Sequence, residues 1–220
     1  SSVVEGRTAD PDGKPVAGAQ VMFNPAGPSK VGRGVIFFTS GCCGGFVHAD
    51  LVPRYPHRVV WTNAGVVYEL DATRRHLTVV ASAATDLWVD ANTLYVARGM
   101  HGFALYTLDT GQPPRLADSF RASSPVVAVR AQGGVIVAAL RDQTFAVLTR
   151  HNHSLQLRAL YPLGDTFRDF QFIDNTLYVS TTHDEFLVLD LTDAAKPAPH
   201  ARYPGAHHIA RFALRDGQVF

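Results

Sequence analysis

The chain has 220 residues, 46% of them hydrophobic, with 20 basic and 19 acidic side chains interspersed along its length. That balance excludes the basic surface of a nucleic-acid binder or of a protein held on anionic lipid, and the apolar share is enough to fill a core, which excludes a disordered chain. No apolar run approaches the roughly 18 residues of a membrane span, and the length suits one undivided all-β domain.

Residues 1–34 read as an N-terminal β-arm and linker. Residues 3–23 predict two strands around Asp10-Pro11-Asp12-Gly13, where proline presets φ and glycine supplies a positive φ. The opening SSVVEGRT is polar and strand-like, without the apolar stretch of a secretory signal, so export would require a signal already removed. Gly6, Asp12, Gly13, Pro15, Val16, Gly18, Ala19 and Val21 together resemble the start of carboxypeptidase regulatory-like sandwich domains. The match is far shorter than such a domain, which is why an arm is expected. Residues 24–34, with two prolines and three glycines, are a linker.

From residue 35 to 220 the chain repeats. Residues 93–108, TLYVARGMHGFALYTL, return 42 positions later as VIVAALRDQTFAVLTR and 83 positions later as TLYVSTTHDEFLVLDL, with Phe103, Phe145 and Phe186 in register. A degenerate copy from Ile36 places Phe46 at the same point. Each copy is an apolar strand, a polar bend and a second apolar strand, which predicts a β-hairpin. A short strand leads each hairpin (residues 86–90, 126–129 and 170–173) and another follows it (115–120, 155–160 and 200–203). Four short strands recurring about every 40 residues predict propeller blades, because such a sheet covers its faces only by stacking on neighbours. The expected fold is an all-β propeller of four-stranded antiparallel blades. About five blades are expected, as part of a longer propeller. The next hairpin phenylalanine would fall near residue 228; closure of residues 209–214 against the first hairpin is the alternative.

The first hairpin, residues 35–51, holds Cys42 and Cys43 in a Gly-Cys-Cys-Gly-Gly bend. Three readings stand: a strained vicinal disulfide that glycines permit, a dithiol for a soft metal or redox work with His48 nearby, or two small apolar residues in a turn. Residues 58–82 form the shortest unit. His151 and His153 would share one side of a strand and make a candidate metal pair, against the simpler reading of a polar turn. Arg98, His101, Arg141, Asp142, His183 and Asp184 lie in equivalent hairpin bends, so a propeller brings them to one rim, where such folds bind partners. Asp50, Glu69, Thr107, Thr149 and Asp190 share one repeat position and are expected to cap strand ends.

Phe186, Val188, Leu189, Asp190, Leu191, Thr192, Asp193 and Pro197 resemble the unit of LVIVD-repeat proteins, with a weaker copy over residues 103–120. The resemblance implies an exported, periplasmic or surface-attached propeller and supplies no catalytic set. No Gly-rich phosphate loop, nucleophile elbow or zinc-protease helix is present, so no cofactor is expected. The sequence therefore points to a non-enzymatic module for a protein or glycan partner, or a subunit of a larger assembly. The alternative is a metal-binding or redox protein, or an enzyme, built on the cysteine pair.

Overall fold

The computed structural model describes residues 20–22, 37–39, 49–52, 55–63, 65–71, 76–109, 111–151, 154–205, 212, 214–215 and 218–219. All regular structure among them is β. A short ribbon pairs β1 (Gln20–Met22) with β2 (Phe37–Thr39). Blade I contains β3 (Ala49–Val52), β4 (Tyr55–Asn63), β5 (Val66–Asp71) and β6 (His76–Ala81). Blade II contains β7 (Asp86–Asp90), β8 (Thr93–Ala97), β9 (Phe103–Thr107) and β10 (Arg115–Phe120). Blade III contains β11 (Val126–Gln132), β12 (Val135–Leu140), β13 (Thr144–His151) and β14 (Ser154–Pro162). Blade IV contains β15 (Phe167–Ile173), β16 (Thr176–Thr181), β17 (Glu185–Asp190) and β18 (Ala198–Pro204). A further ribbon, β19 (Leu214–Arg215) with β20 (Gln218–Val219), follows. Each blade is an antiparallel meander in chain order, as the repeat predicts.

One expected pairing is corrected. The hairpin over residues 35–51 would join the strand from Ile36 to the strand ending at Leu51, but β2 pairs with β1 and β3 pairs with β4. The reason is the demand of the next unit. Its hairpin, β4 and β5, needs a lead strand, and β3 supplies one by turning tightly so that Val52 faces Tyr55. Cys42, Cys43 and Phe46 lie outside the described residues.

Short turns close the lead strands where sequence chemistry permits. Gly133-Gly134 and Asp174-Asn175 both take positive φ at their two central residues, the turn whose twist matches the flanking strands. Between the third and fourth strand of every blade the register slips by a bulge, which adds twist to the outer edge.

The core lies between blades, and strand alternation explains how. On β12, Ile136, Ala138 and Leu140 pack toward blade II with Trp88, Tyr95, Phe103 and Leu105. The intervening Val137 and Ala139 pack toward blade IV with Phe170, Phe172, Leu177 and Leu187. A strand buried on both faces reads as a continuous apolar run, which VIVAAL is. Blades I and II share a third cluster, with Val60, Val67, Leu87 and Leu108. The lead strands β3, β7, β11 and β15 approach each other in succession, so they form the inner edge of the stack.

Candidate interaction rim

In blades II, III and IV the bend between the second and third strands is tied to the loop that leads into the same blade. In blade II the Arg98 guanidinium donates to Ser82 O at 3.3 Å. In blade III, Arg141 N donates to Pro125 O at 2.9 Å and Asp142 N to Ser124 Oγ at 3.2 Å. In blade IV, Thr182 N donates to Thr166 O at 2.8 Å, and Arg168 bonds Thr182 O at 3.0 Å while lying 3.5 Å from Asp184. Neighbouring blades are stitched along the same edge. Gly99 and Val126 exchange backbone hydrogen bonds, and Gln143 Nε2 donates to Thr166 Oγ1 at 3.3 Å in the loop leading into blade IV.

The repeat thus places all six predicted rim residues on one edge of the sheets. His101, Arg141, Asp142 and His183 are exposed and Arg98 and Asp184 half-buried. Met100, 76% exposed between Arg98 and His101, adds an apolar side chain to that edge. Gly102 holds its bend tightly. At φ +76° a Cβ there would stand 1.8 Å from Phe120 O, so no other residue fits without displacing backbone.

Asp165 is the hub of the blade IV corner, and sequence reasoning missed it. Its Oδ1 lies 2.7 Å from His183 Nδ1 and accepts from Thr182 Oγ1 at 2.9 Å, while Oδ2 accepts the His183 N–H at 3.1 Å. Burial opposes its ionisation, yet hydrogen bonds from Thr181, His183 and Thr182 outweigh that and hold the carboxyl well below the usual carboxylate range. The anion in turn orients the His183 ring and leaves Nε2 toward solvent, with the side chain 83% exposed. The available signal was positional: Asp165 sits in the loop before a lead strand, as Ser82 and Ser124 do.

A second cluster, also missed, lies on the inner edge. Arg130 pairs with Asp86 at 2.6 Å and bonds Val129 O at 2.7 Å. Its guanidinium lies between the rings of Trp88 and Phe170, 4.8 and 5.1 Å from their centroids. Asp86 also accepts Val129 N–H, Trp88 Nε1 donates to Ala131 O, and Asp90 accepts Gly133 N–H. Residues 86, 88 and 90 alternate, so all three face the next blade. Asp169, at the position of Asp86 in blade IV, accepts Phe212 N–H at 3.3 Å. Burial pushes its pKa up, with that hydrogen bond and Arg130 acting against the shift. Charged residues at one lead-strand position were the sequence signal for this cluster.

The capping expectation holds at Asp190, whose Oδ1 accepts both Thr192 N–H and Thr192 Oγ1–H. His151 lies at the far end of β13 from the rim, while His48 and His153 fall outside the described residues.

Neither a family model nor a curated protein matches the chain. Solved structures do. The β-propeller domain of Cps50 (Swd1) from Myceliophteria thermophila aligns over 79% of this chain and 66% of its own length, with TM-score 0.62 and 12% identity. The computationally designed protein Ika8 aligns over 94% of this chain and 71% of its own, with TM-score 0.64 and 15% identity. This chain accordingly spans about two thirds of the length of these structures. What the comparisons carry is the fold: this is a β-propeller of four-stranded antiparallel blades. The LVIVD-like and carboxypeptidase regulatory-like stretches have no matching family behind them.

Proposed function

We propose that the chain is a non-enzymatic propeller module that binds a partner through the rim of bends in blades II to IV. The observation that carries this is bracing. Three successive bends present Arg98, Met100, His101, Arg141, Asp142 and His183, and each bend is hydrogen-bonded to its own inter-blade loop before any partner arrives. Preorganised loops lose less freedom on binding, so exposed side chains there convert contact into affinity efficiently. The mixture of cations, a carboxylate and an exposed methionine fits a protein surface, with a glycan as the second ligand class. Exported or cell-surface residence, and membership of a larger assembly, complete the reading and rest on the LVIVD-like segment from Phe186.

Photo-crosslinking groups at positions 100, 141 and 183, compared with controls at the outer-strand residues Leu116 and Leu157, test the rim in the intact protein. The proposal expects adducts with a discrete partner from the rim positions that vanish in Arg141→Ala/His183→Ala. Equal labelling from the outer strands, or persistence in the double variant, would overturn it. Two reactive thiols or stoichiometric metal in the purified protein would favour chemistry at Cys42 and Cys43 instead.

A further inference from the structure

At each junction between blades, one side chain at a fixed repeat position crosses to the preceding blade. Leu108, Arg150 and Leu191 are that residue in blades II, III and IV, and their equivalence is structural. Their backbone N–H groups donate to Asn92, Gly134 and Asn175 O at 2.8, 2.8 and 2.7 Å. What each meets depends on the face it crosses to. Leu108 joins the cluster of Val60 and Val67, and Leu191 joins that of Val135 and Val137. Arg150 instead donates to Thr93 Oγ1 at 3.0 Å, on the face where blade II presents Thr93, Tyr95 and Thr107. An apolar face takes leucine, and the Thr-Tyr face takes arginine.

Blade IV repeats the second kind of face. Thr176 and Tyr178 occupy the positions of Thr93 and Tyr95, with the same cross-strand partners' positions filled by Asp190 and Val188. These residues, with Thr192 and His200, line a cavity of about 280 Å³. Tyr95 is 2% exposed where Arg150 covers it, whereas Tyr178 is only half-buried. Asp190 strengthens the preference for a cation, since a carboxylate stands where blade II has Thr107. Its Oδ1 is already committed to Thr192, which fixes the carboxylate's orientation.

We propose that this cavity is a socket for an arginine guanidinium, presented by a further propeller-type sheet stacked on blade IV as Arg150 is presented to blade II. The planar guanidinium offers several N–H donors at once, which match the two hydroxyls and the carboxylate, and its flat face suits the Tyr178 ring. Lysine would satisfy the charge without that fork. The inference is independent of the rim, which lies at the bends rather than on this face.

The test uses the whole chain and N-acetyl-L-arginine amide as probe, followed by the Tyr178 and His200 ring resonances. Saturable shifts with a dissociation constant on the order of millimolar are expected, as for a single small contact. The citrulline analogue, which keeps the shape and lacks the charge, is expected to bind at least tenfold more weakly. Asp190→Asn is expected to weaken arginine binding about tenfold, and Asp142→Asn, on the rim, to leave it unchanged. No saturable shift, or equal binding of citrulline and arginine, would overturn the proposal. Because the citrulline comparison needs no substitution, the outcome does not depend on how a variant folds.

Discussion

The junction between blades II and III and the junction between blades III and IV solve one problem in two ways. Both stack a lead strand and a hairpin against the next sheet. Both bury an apolar core, and the first adds a polar clasp: Asp86 and Trp88 reach the backbone of β11, Asp90 that of Gly133 in the turn after it, Arg130 closes over Trp88, and Arg150 reaches back to Thr93. The second is aromatic: Phe145, Phe167 and Phe170 meet with ring centroids 5.2 to 6.0 Å apart, Phe167 and Phe170 edge to face at 88°. The switch traces to single residues. Ala128 stands where Asp86 and Asp169 stand, so blade III has no carboxylate to offer blade IV, and ring packing takes over. Polar clasps fix which residue faces which; aromatic packing supplies area without that selectivity.

The comparison breaks most sharply at the aromatic junction. Phe170→Ala, 1% exposed in wild type, is expected to cost about 3–5 kcal/mol in denaturant unfolding, because the rings around it cannot collapse into the space. At the polar junction Asp86→Ala is expected to cost about 3 kcal/mol, since it leaves the Arg130 guanidinium buried without its 2.6 Å partner. The same measurement on Asp86→Leu/Arg130→Met is expected to recover most of that loss. If the double variant is as unstable as the single one, charge pairing is not what the clasp contributes.

A smaller effect is expected at the rim. Gly102→Ala should lower the unfolding free energy by about 1–3 kcal/mol, because a Cβ there meets Phe120 O, and hydrogen exchange should quicken first in the 98–102 bend.

The smallest effects are in pH dependence, where two carboxylates in blade IV act with opposite sign. Asp165 titrates lower folded than unfolded, so its contribution is complete above the ordinary value of 3.8 and is lost as pH falls below it. Asp165→Asn should flatten the acid limb of the stability profile. Asp169 titrates higher folded than unfolded, so its contribution is present below 3.8 and is lost as pH rises through its raised folded value. Asp169→Asn keeps an acceptor for Phe212 N–H and should therefore be no less stable than wild type at neutral pH, with any gain disappearing in acid. Thermal unfolding from acid to neutral pH reads both.

Much of blades II to IV was legible in the chain because period-two alternation and turn residues are local. The lead strands expected at 86–90, 126–129 and 170–173 lie within β7, β11 and β15, the last starting three residues earlier, and the bends at 98–102, 140–144 and 181–185 fall where the repeat predicts. In blade I the hairpin of β4 and β5 is legible but its lead strand is not, because two strands compete for one partner. Residues 37–39 and 49–52 both pattern as strands, and nothing local says that the second pairs with β4 and the first with β1. The rim was found through its bends, yet Asp165 was missed because its bonds to Thr182 and His183 span 17 and 18 residues. Asp86 and Arg130 were missed for the same reason, being 44 residues apart.

The sequence by itself determined the repeat, the strand order inside a blade and which edge carries the bends, since each follows from neighbours along the chain. Only the tertiary structure decided which side chains cross between blades, and so which face accepts leucine and which accepts arginine. Those choices depend on faces that meet when sheets stack, and a distance of some forty residues along the chain carries no geometric information until they do.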